Sequence, residues 1–105
     1  MTDQWRTWVP ILRVADAAAS ARFYCDVLGF QKDWEHRFAD DFPLYLSVSR
    51  DNLTLHLSEH EGGGTGHANL YVSVANVDAT HAQLVERGFQ PDNPPENREY
   101  GVRDF

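Results

Sequence analysis

Histidines are the residues of this chain that most directly suggest metal binding or catalysis. His56 and His67 together would supply two imidazole nitrogens for a metal ion, whereas a catalytic site of the zinc type needs about three protein ligands. The spacing supports neither a glycine-rich phosphate loop nor a Cys/His or Ser/His/Asp set. The sequence therefore predicts no catalytic set and leaves His56 and His67 as weak candidates for a metal.

Aromatic and polar side chains suit a site that binds a flat organic molecule. Such a pocket needs apolar platforms together with a few directed polar groups. The candidates for stacking are Trp34, Phe38, Tyr45 and Tyr71. The candidates for polar contacts are Ser47, His56, Asn69 and Arg98, with His36 beside them. For each aromatic residue, packing in the core or in a dimer interface is the alternative explanation.

Strands with alternating side chains must position these residues. Three strands are predicted, at residues 30–38, 44–49 and 53–58. In the first strand, alternation puts Trp34, His36 and Phe38 on one face. The charged residues that alternate with them, Asp33, Glu35 and Arg37, are expected on the other face. The next two strands place leucines on a face that would lie under a helix and polar residues, His56 among them, on the opposite face.

A repeated unit organises these strands. In the first copy, Val14-Ala15-Asp16 and Leu28-Gly29-Phe30-Gln31 bracket a helix-like segment. About 60 residues later, Val74-Ala75-Asn76 and Arg87-Gly88-Phe89-Gln90 bracket another. Each copy follows an apolar segment with the pattern of a strand, at residues 8–14 and 68–74. The repeat predicts an α+β fold made from two copies of one β-α-β-β-β module.

A single domain holds both modules in this interpretation. Its parts are module one at 5–60, a glycine-rich linker at 61–66 and module two at 67–105. Asp16 is expected to cap the first helix, and either Asn76 or Asp78 the second. Module two has too little chain for three strands after its helix. Three explanations stay open: a truncated chain, a sheet completed by another subunit, or a tail absent from this sequence. An unpaired edge would favour association.

Charge and composition restrict the possible partners. A net charge of −7 argues against nucleic acid and anionic membranes, and it suits a cationic or metal-bearing partner or simply solubility. No apolar run approaches the roughly 18–20 residues of a membrane span, and the start lacks the apolar core of a signal peptide. The single cysteine, Cys25, cannot form an internal disulfide. A cytoplasmic protein is therefore expected.

The motifs of the repeat resemble the vicinal oxygen chelate superfamily of glyoxalases, bleomycin resistance proteins and dioxygenases. The first copy resembles that family's V-x-D … F-Y-x-x-x-L-G-F opening in Val14-Ala15-Asp16, Phe23-Tyr24 and Leu28-Gly29-Phe30. The second copy resembles its V-x-D-V-D-A … G-F half in Val74-Ala75-Asn76-Val77-Asp78-Ala79 and Arg87-Gly88-Phe89. Asn97-Arg98-Glu99-Tyr100 is similar to the family's R-E-F. The resemblance is closest to the bleomycin resistance type and implies the glyoxalase/bleomycin resistance fold of two βαβββ modules.

Enzymes of that superfamily hold a metal through a residue on the first strand of each module and a carboxylate on the last. The resemblance places the first-strand positions at Val9, which cannot ligate, and at Asn69, a weak ligand for a transition metal. The last-strand position of module one is His56, which could ligate, and that of module two falls beyond Phe105. No cofactor is therefore expected, and a divalent metal is the alternative.

Three functions follow from the resemblance. The favoured one is a protein that sequesters a bulky, cationic antibiotic such as bleomycin, or a similar natural product, without chemistry. The ligand would lie in a groove at the interface of a homodimer, with or without exchanged strands. The second is a divalent-metal-dependent lyase or isomerase of the glyoxalase type, or a dioxygenase. The third is a binding or regulatory domain for another small molecule, which the sequence does not separate from the first.

Overall fold

The computed structural model describes residues 3–62, 64 and 67–105. The helices are α1 (Ala17–Arg22), which continues as a π-helical turn at Phe23–Val27, and α2 (Val77–Glu86). The strands are β1 (Ile11–Arg13), β2 (Gln31–His36), β3 (Tyr45–Arg50), β4 (Leu53–Ser58), β5 (Glu96–Asn97) and β6 (Arg103–Asp104). Of the linker predicted at 61–66, residues 63, 65 and 66 lie outside the described residues. None of the described helices is long and apolar enough to cross a membrane.

A four-stranded sheet forms the body of the first module. Its strand order is β1-β4-β3-β2, with β1 parallel to β4 and the other neighbours antiparallel. The β-α-β-β-β unit predicted from the repeat is therefore complete in module one. The core consists of apolar side chains from α1 and the sheet: Ala17, Ala21, Leu44, Leu46, Val48, Leu55 and Leu57. This confirms the leucine-rich face under a helix, and burial of that face holds α1 on the sheet.

Both helices begin at side-chain caps. Asp16 Oδ1 accepts a hydrogen bond from the backbone N–H of Ala19 at 3.0 Å, and Asn76 Oδ1 accepts one from Ala79 at 3.0 Å. These bonds satisfy backbone donors that have no partner inside the helix. The structure thus confirms Asp16 as a cap and selects Asn76, rather than Asp78, for α2.

The first helix ends in a widened turn that leads into β2. The N–H of Leu28 donates to the carbonyl of Phe23 at 3.3 Å, and the N–H of Phe30 donates to that of Tyr24 at 2.9 Å. Gly29 lies between these donors with a φ of 77°, a conformation that a residue with a Cβ rarely adopts. The Leu-Gly-Phe motif is therefore the helix end that turns the chain toward the sheet.

A β-bulge in β2 changes which side chains share a face. Lys32 lies opposite Val48 and Trp34 lies opposite Ser47, so that Asp33 is an extra residue in this strand. The Asp33 carboxylate accepts a hydrogen bond from the hydroxyl of Ser47 at 3.1 Å, which places it on the same face as Trp34. The prediction that Asp33 lies on the opposite face is therefore wrong, because strict alternation does not allow for an inserted residue.

The second module is more open than the first. Residues 68–74, predicted as a strand, are exposed and belong to no strand, since no strand of the described residues pairs with them. β5 and β6 form a separate two-stranded sheet. The radius of gyration is 16.1 Å, compared with about 13 Å for a compact chain of this length. The single chain therefore leaves apolar surface of module two uncovered.

Candidate ligand-binding site

The face of the four-stranded sheet that points away from α1, the open face, carries most of the side chains predicted to bind a ligand. Residues paired across neighbouring strands share a face. The register assigns the following residues to the open face: Gln31, Trp34, His36, Tyr45, Ser47, Ser49, Thr54, His56 and Ser58. The structure therefore brings together five of the nine predicted binding residues, which come from β2, β3 and β4.

An aromatic cluster, formed by Trp34, Tyr45 and His56, occupies the middle of the open face. The rings of Trp34 and Tyr45 are stacked, with centroids 5.8 Å apart and planes at 10°. The His56 ring meets Trp34 edge to face at 5.1 Å, and its Nδ1 is hydrogen-bonded to the Tyr45 hydroxyl at 2.7 Å. Burial raises the pKa of Tyr45, which keeps the hydroxyl neutral. The cluster is a preorganised aromatic platform with one polar edge.

Three further rings, those of His36, Phe38 and His60, extend this cluster along the sheet. Phe38 lies edge to face with His36, with ring centroids 4.6 Å apart, and lies 6.4 Å from His60. The His60 ring is also 6.3 Å from that of Tyr45. His60 was missed by sequence analysis because it lies at the end of module one, outside the predicted strands. The signal was its position two residues after β4, where the chain is still held by the hydrogen bond from the Glu59 N–H to the carbonyl of Leu44.

Asp33 is the second residue that sequence analysis missed. Its Oδ1 accepts a hydrogen bond from the Ser49 hydroxyl at 2.7 Å and its Oδ2 accepts one from Ser47 at 3.1 Å. The Gln31 side-chain amide lies 3.4 Å from Oδ1. These donors fix the carboxylate next to Trp34 on the open face. The arrangement places a negative charge beside a flat aromatic surface, which suits a cationic aromatic ligand.

Three of the predicted binding residues do not reach the aromatic cluster within the single chain. Asn69 and Tyr71 lie in the exposed segment 68–74. Arg98 lies in the β5–β6 hairpin, where its Nε donates to Asp104 at 2.6 Å. Any contact of these three with a ligand on the open face requires a different arrangement of module two or a second copy of the chain.

Comparison with known families identifies the fold. A sequence model for the family described as "Glyoxalase superfamily protein" matches residues 3–103, which include both copies of the repeat. The chain belongs to the glyoxalase superfamily. This confirms the resemblance that the Val-x-Asp and Gly-Phe motifs carry. No curated protein matches the chain.

Solved structures share the fold of this superfamily member. A glyoxalase/bleomycin resistance protein/dioxygenase superfamily member from Sphaerobacter thermophilus has a TM-score of 0.72 at 20% identity, covering 95% of this chain and 85% of that chain. A bleomycin-binding protein from Streptomyces verticillus, complexed with copper(II)-bleomycin, has a TM-score of 0.69 at 26% identity, with coverages of 97% and 85%. These similarities confirm the glyoxalase/bleomycin resistance fold.

The metal site of the superfamily's enzymes is a poor fit to the residues of this chain. The parts of the chain that the structure describes contain no group of three or more His, Cys, Asp or Glu side chains that could hold a metal ion. Val9 offers no ligating side-chain atom, and Asn69 and His67 are exposed and lie outside the strands. The Nδ1 atom of His56 is hydrogen-bonded to Tyr45, so this ring could offer only its Nε2 atom to a metal. The described residues therefore bring together fewer His, Cys, Asp and Glu side chains than the three protein ligands of a typical catalytic zinc site.

Proposed function

We propose that this glyoxalase superfamily member binds a flat, cationic natural product of the bleomycin type and sequesters it without chemistry. The observation that supports this function best is the aromatic cluster next to the Asp33 carboxylate. Trp34 is 45% exposed, so its ring is open to a stacking partner. Each aromatic pair contributes about 0.5–1.5 kcal/mol beyond the area that it buries, and a cation over a Trp ring adds a similar amount.

Electrostatics also favour a cationic ligand. The chain has a net charge of −7, which raises the local concentration of cations and their rate of association. Asp33 focuses part of this charge on the open face, where Ser47 and Ser49 hold its carboxylate in place. A bound cation would gain a direct ionic contact without first having to order this side chain.

The copper(II)-bleomycin complex of the Streptomyces verticillus protein supports a ligand of this class, since that protein shares 26% identity and nearly the whole fold with this chain. We extend the similarity only to the chemical class of the ligand. A bulky glycopeptide exceeds the area of the aromatic cluster, so more surface than one open face is needed.

A second copy of the chain supplies that surface in this proposal. Trp5 is 93% exposed and Tyr71 is 73% exposed, and segment 68–74 lacks a strand partner among the described residues. Unpaired backbone and exposed apolar side chains favour pairing with another chain. A homodimer, with or without exchanged strands, would cover this segment and bring Asn69 and Tyr71 to the edge of the ligand groove.

Calorimetric titration with bleomycin, with and without copper(II), tests the function. We expect saturable heat in the wild-type protein and at least about ten-fold weaker binding in Trp34→Ala, because the stacking surface is lost. Tyr100→Ala, which removes an exposed ring from the β5–β6 hairpin, is the matched control and should bind as wild type does. Absence of heat with both forms of the drug would rule out the bleomycin ligand.

The alternative is a divalent-metal-dependent lyase or isomerase of the glyoxalase type. It is favoured by superfamily membership and by the position of His56 on the open face. It predicts close to one Ni, Zn, Mn or Fe ion per site in protein purified without a histidine tag. Only trace metal in that preparation would exclude it, and a stoichiometric metal would favour it over sequestration.

A further inference from the structure

Two arginine side chains from different modules converge above Gly29. A Cβ atom added to Gly29 would lie 3.0 Å from Arg87 Nη1 and 3.1 Å from Arg50 Nη1. These two nitrogen atoms are therefore at most about 6 Å apart, a distance at which two positive charges repel each other. They border a cleft of about 350 Å³ lined by Gly29, Gln31, Ser49, Arg50, Asp51 and Arg87.

The charges of this arginine pair are only partly compensated. Arg50 donates from Nη1 to the carbonyl of Leu28 at 2.7 Å, and its Nε lies 3.7 Å from Asp51 Oδ2. The Asp51 side chain is 87% exposed, so this ion pair contributes little. Arg87 makes no side-chain hydrogen bond or ion pair within the described part of the chain. At least one guanidinium is therefore available to a ligand.

Capping of a helix end explains only one of the two arginines. Arg50 satisfies the carbonyl of Leu28 at the end of the first helix, where a cation is favoured. Arg87 follows α2 directly, but its guanidinium reaches across to Gly29 in the other module. Holding both cations together costs Coulomb energy in the absence of an anion.

We propose that this cleft is an oxyanion site, in which Arg50 and Arg87 bind a phosphate, sulfate or carboxylate group between them. Guanidinium groups match the geometry of such anions and form strong, charge-assisted hydrogen bonds. Gly29 serves the site in two ways: its φ of 77° forms the turn, and the absence of a side chain leaves the space between the arginines open. The site goes beyond the proposed function and does not depend on it.

The oxyanion has two possible sources, because the cleft is continuous with the open face. Ser49 and Gln31 line the cleft and also belong to the open face. Tyr45 of the aromatic cluster lies in the same strand as Ser49, four residues before it, which is a distance of about 13 Å. The anion is either a free inorganic ion or the acidic end of a compound whose aromatic part stacks on the aromatic cluster.

Nuclear magnetic resonance titration of the ¹⁵N-labelled protein with inorganic phosphate and with sulfate tests the site, with chloride at matched ionic strength as reference. We expect saturable shifts of the Gly29 amide and of the Arg50 and Arg87 Nε–H signals. Arg87→Gln should weaken binding by about ten-fold or more, since it removes a charge-assisted hydrogen bond. The fold should be retained, because Arg87 makes no side-chain hydrogen bond or ion pair within the described residues.

Arg6→Gln is the matched control, since it removes the same charge from the exposed start of the chain. Arg6→Gln should bind phosphate as wild type does. The proposal is overturned if neither anion gives a saturable shift in the wild-type protein beyond that of chloride. It is also overturned if Arg6→Gln and Arg87→Gln weaken binding equally, because that result would mean a non-specific charge effect.

Phenyl phosphate separates the two sources of the anion. If it binds more tightly than inorganic phosphate and Trp34→Ala removes the gain, the anion is the acidic end of an aromatic ligand. Equal affinities for the two compounds assign the site to a free ion. Both outcomes support the oxyanion site, and each is independent of whether bleomycin binds.

Discussion

The carboxylate of Glu59 joins three elements of the first module, and we expect Glu59→Gln to destabilise it. Glu59 Oε2 accepts a hydrogen bond from the N–H of Ala17, at the start of α1, at 2.8 Å. Its Oε1 accepts one from the N–H of Leu44, just before β3, at 3.0 Å. Glu59 itself directly follows β4. One side chain thus fixes the position of the helix on the sheet.

The magnitude follows from these two hydrogen bonds. Glutamine keeps one acceptor oxygen and places an NH₂ group against the other N–H, so one partly buried donor loses its partner. Such a loss costs about 1–3 kcal/mol, and the remaining bond is weakened because its acceptor is no longer charged. We therefore expect the free energy of unfolding to fall by about 2 kcal/mol, and Tm by roughly 8 °C for a chain of this size.

The effect should depend on pH with a definite sign. The N–H groups of Leu44 and Ala17 hold the pKa of Glu59 below its ordinary 4.5, because they stabilise the charged form. When folding lowers the pKa of a group, that group stabilises the folded state at pH values above its pKa in the unfolded chain. This stabilisation is lost as the pH falls through the pKa of the folded state. The difference in the free energy of unfolding between wild type and Glu59→Gln should have its full value at about pH 7 and should become smaller below pH 4.5.

Denaturant unfolding at fixed protein concentration, followed at several pH values, measures this difference. Glu61→Gln, which changes an exposed carboxylate two residues away, is the matched control and should unfold as wild type does. A change within about 0.5 kcal/mol for Glu59→Gln at pH 7, the ordinary range of a surface substitution, would refute the reasoning. A difference independent of pH would refute the electrostatic part of it.

Three further predictions concern the ligand site and the proposed interface. Asp33→Asn keeps the acceptor oxygen but removes the charge, and calorimetry should give about ten-fold weaker binding of a cationic ligand with little change for a neutral one; equal losses would contradict the role of charge. Tyr45→Phe removes the hydrogen bond to His56 and should lower the free energy of unfolding by about 1 kcal/mol, while an unchanged denaturation midpoint would mean that the bond contributes nothing. Val72→Glu should shift the association equilibrium toward monomer in sedimentation experiments, whereas Tyr100→Glu should not; unchanged association in Val72→Glu would place the interface elsewhere.

Module one could be predicted from sequence because its signals are local. Asp16 lies at the start of a helical stripe, Gly29 lies at its end, and the leucines of residues 53–58 alternate with period two. These patterns depend on hydrogen bonds and side-chain directions within a few residues of each other. The structure confirms the cap, the turn and the buried leucine-rich face.

The strand predicted at 68–74 shows where a local pattern is insufficient. Its alternation is as clear as that of 53–58, but a strand also needs a neighbour to accept its backbone hydrogen bonds. The described chain pairs no strand with it. Periodicity therefore predicts which residues can form a strand, while pairing depends on chain segments far away or on a second copy.

The sequence by itself determined the repeated motif, the helix ends and the apolar face of the sheet. Only the tertiary structure decided that Asp33 joins Trp34 on the open face, through a bulge that alternation does not reveal. It also brought Arg50 and Arg87, from separate modules, together above Gly29. The reason is physical: turns and alternation are properties of neighbouring residues, whereas strand register and the approach of distant side chains result from the packing of the whole chain.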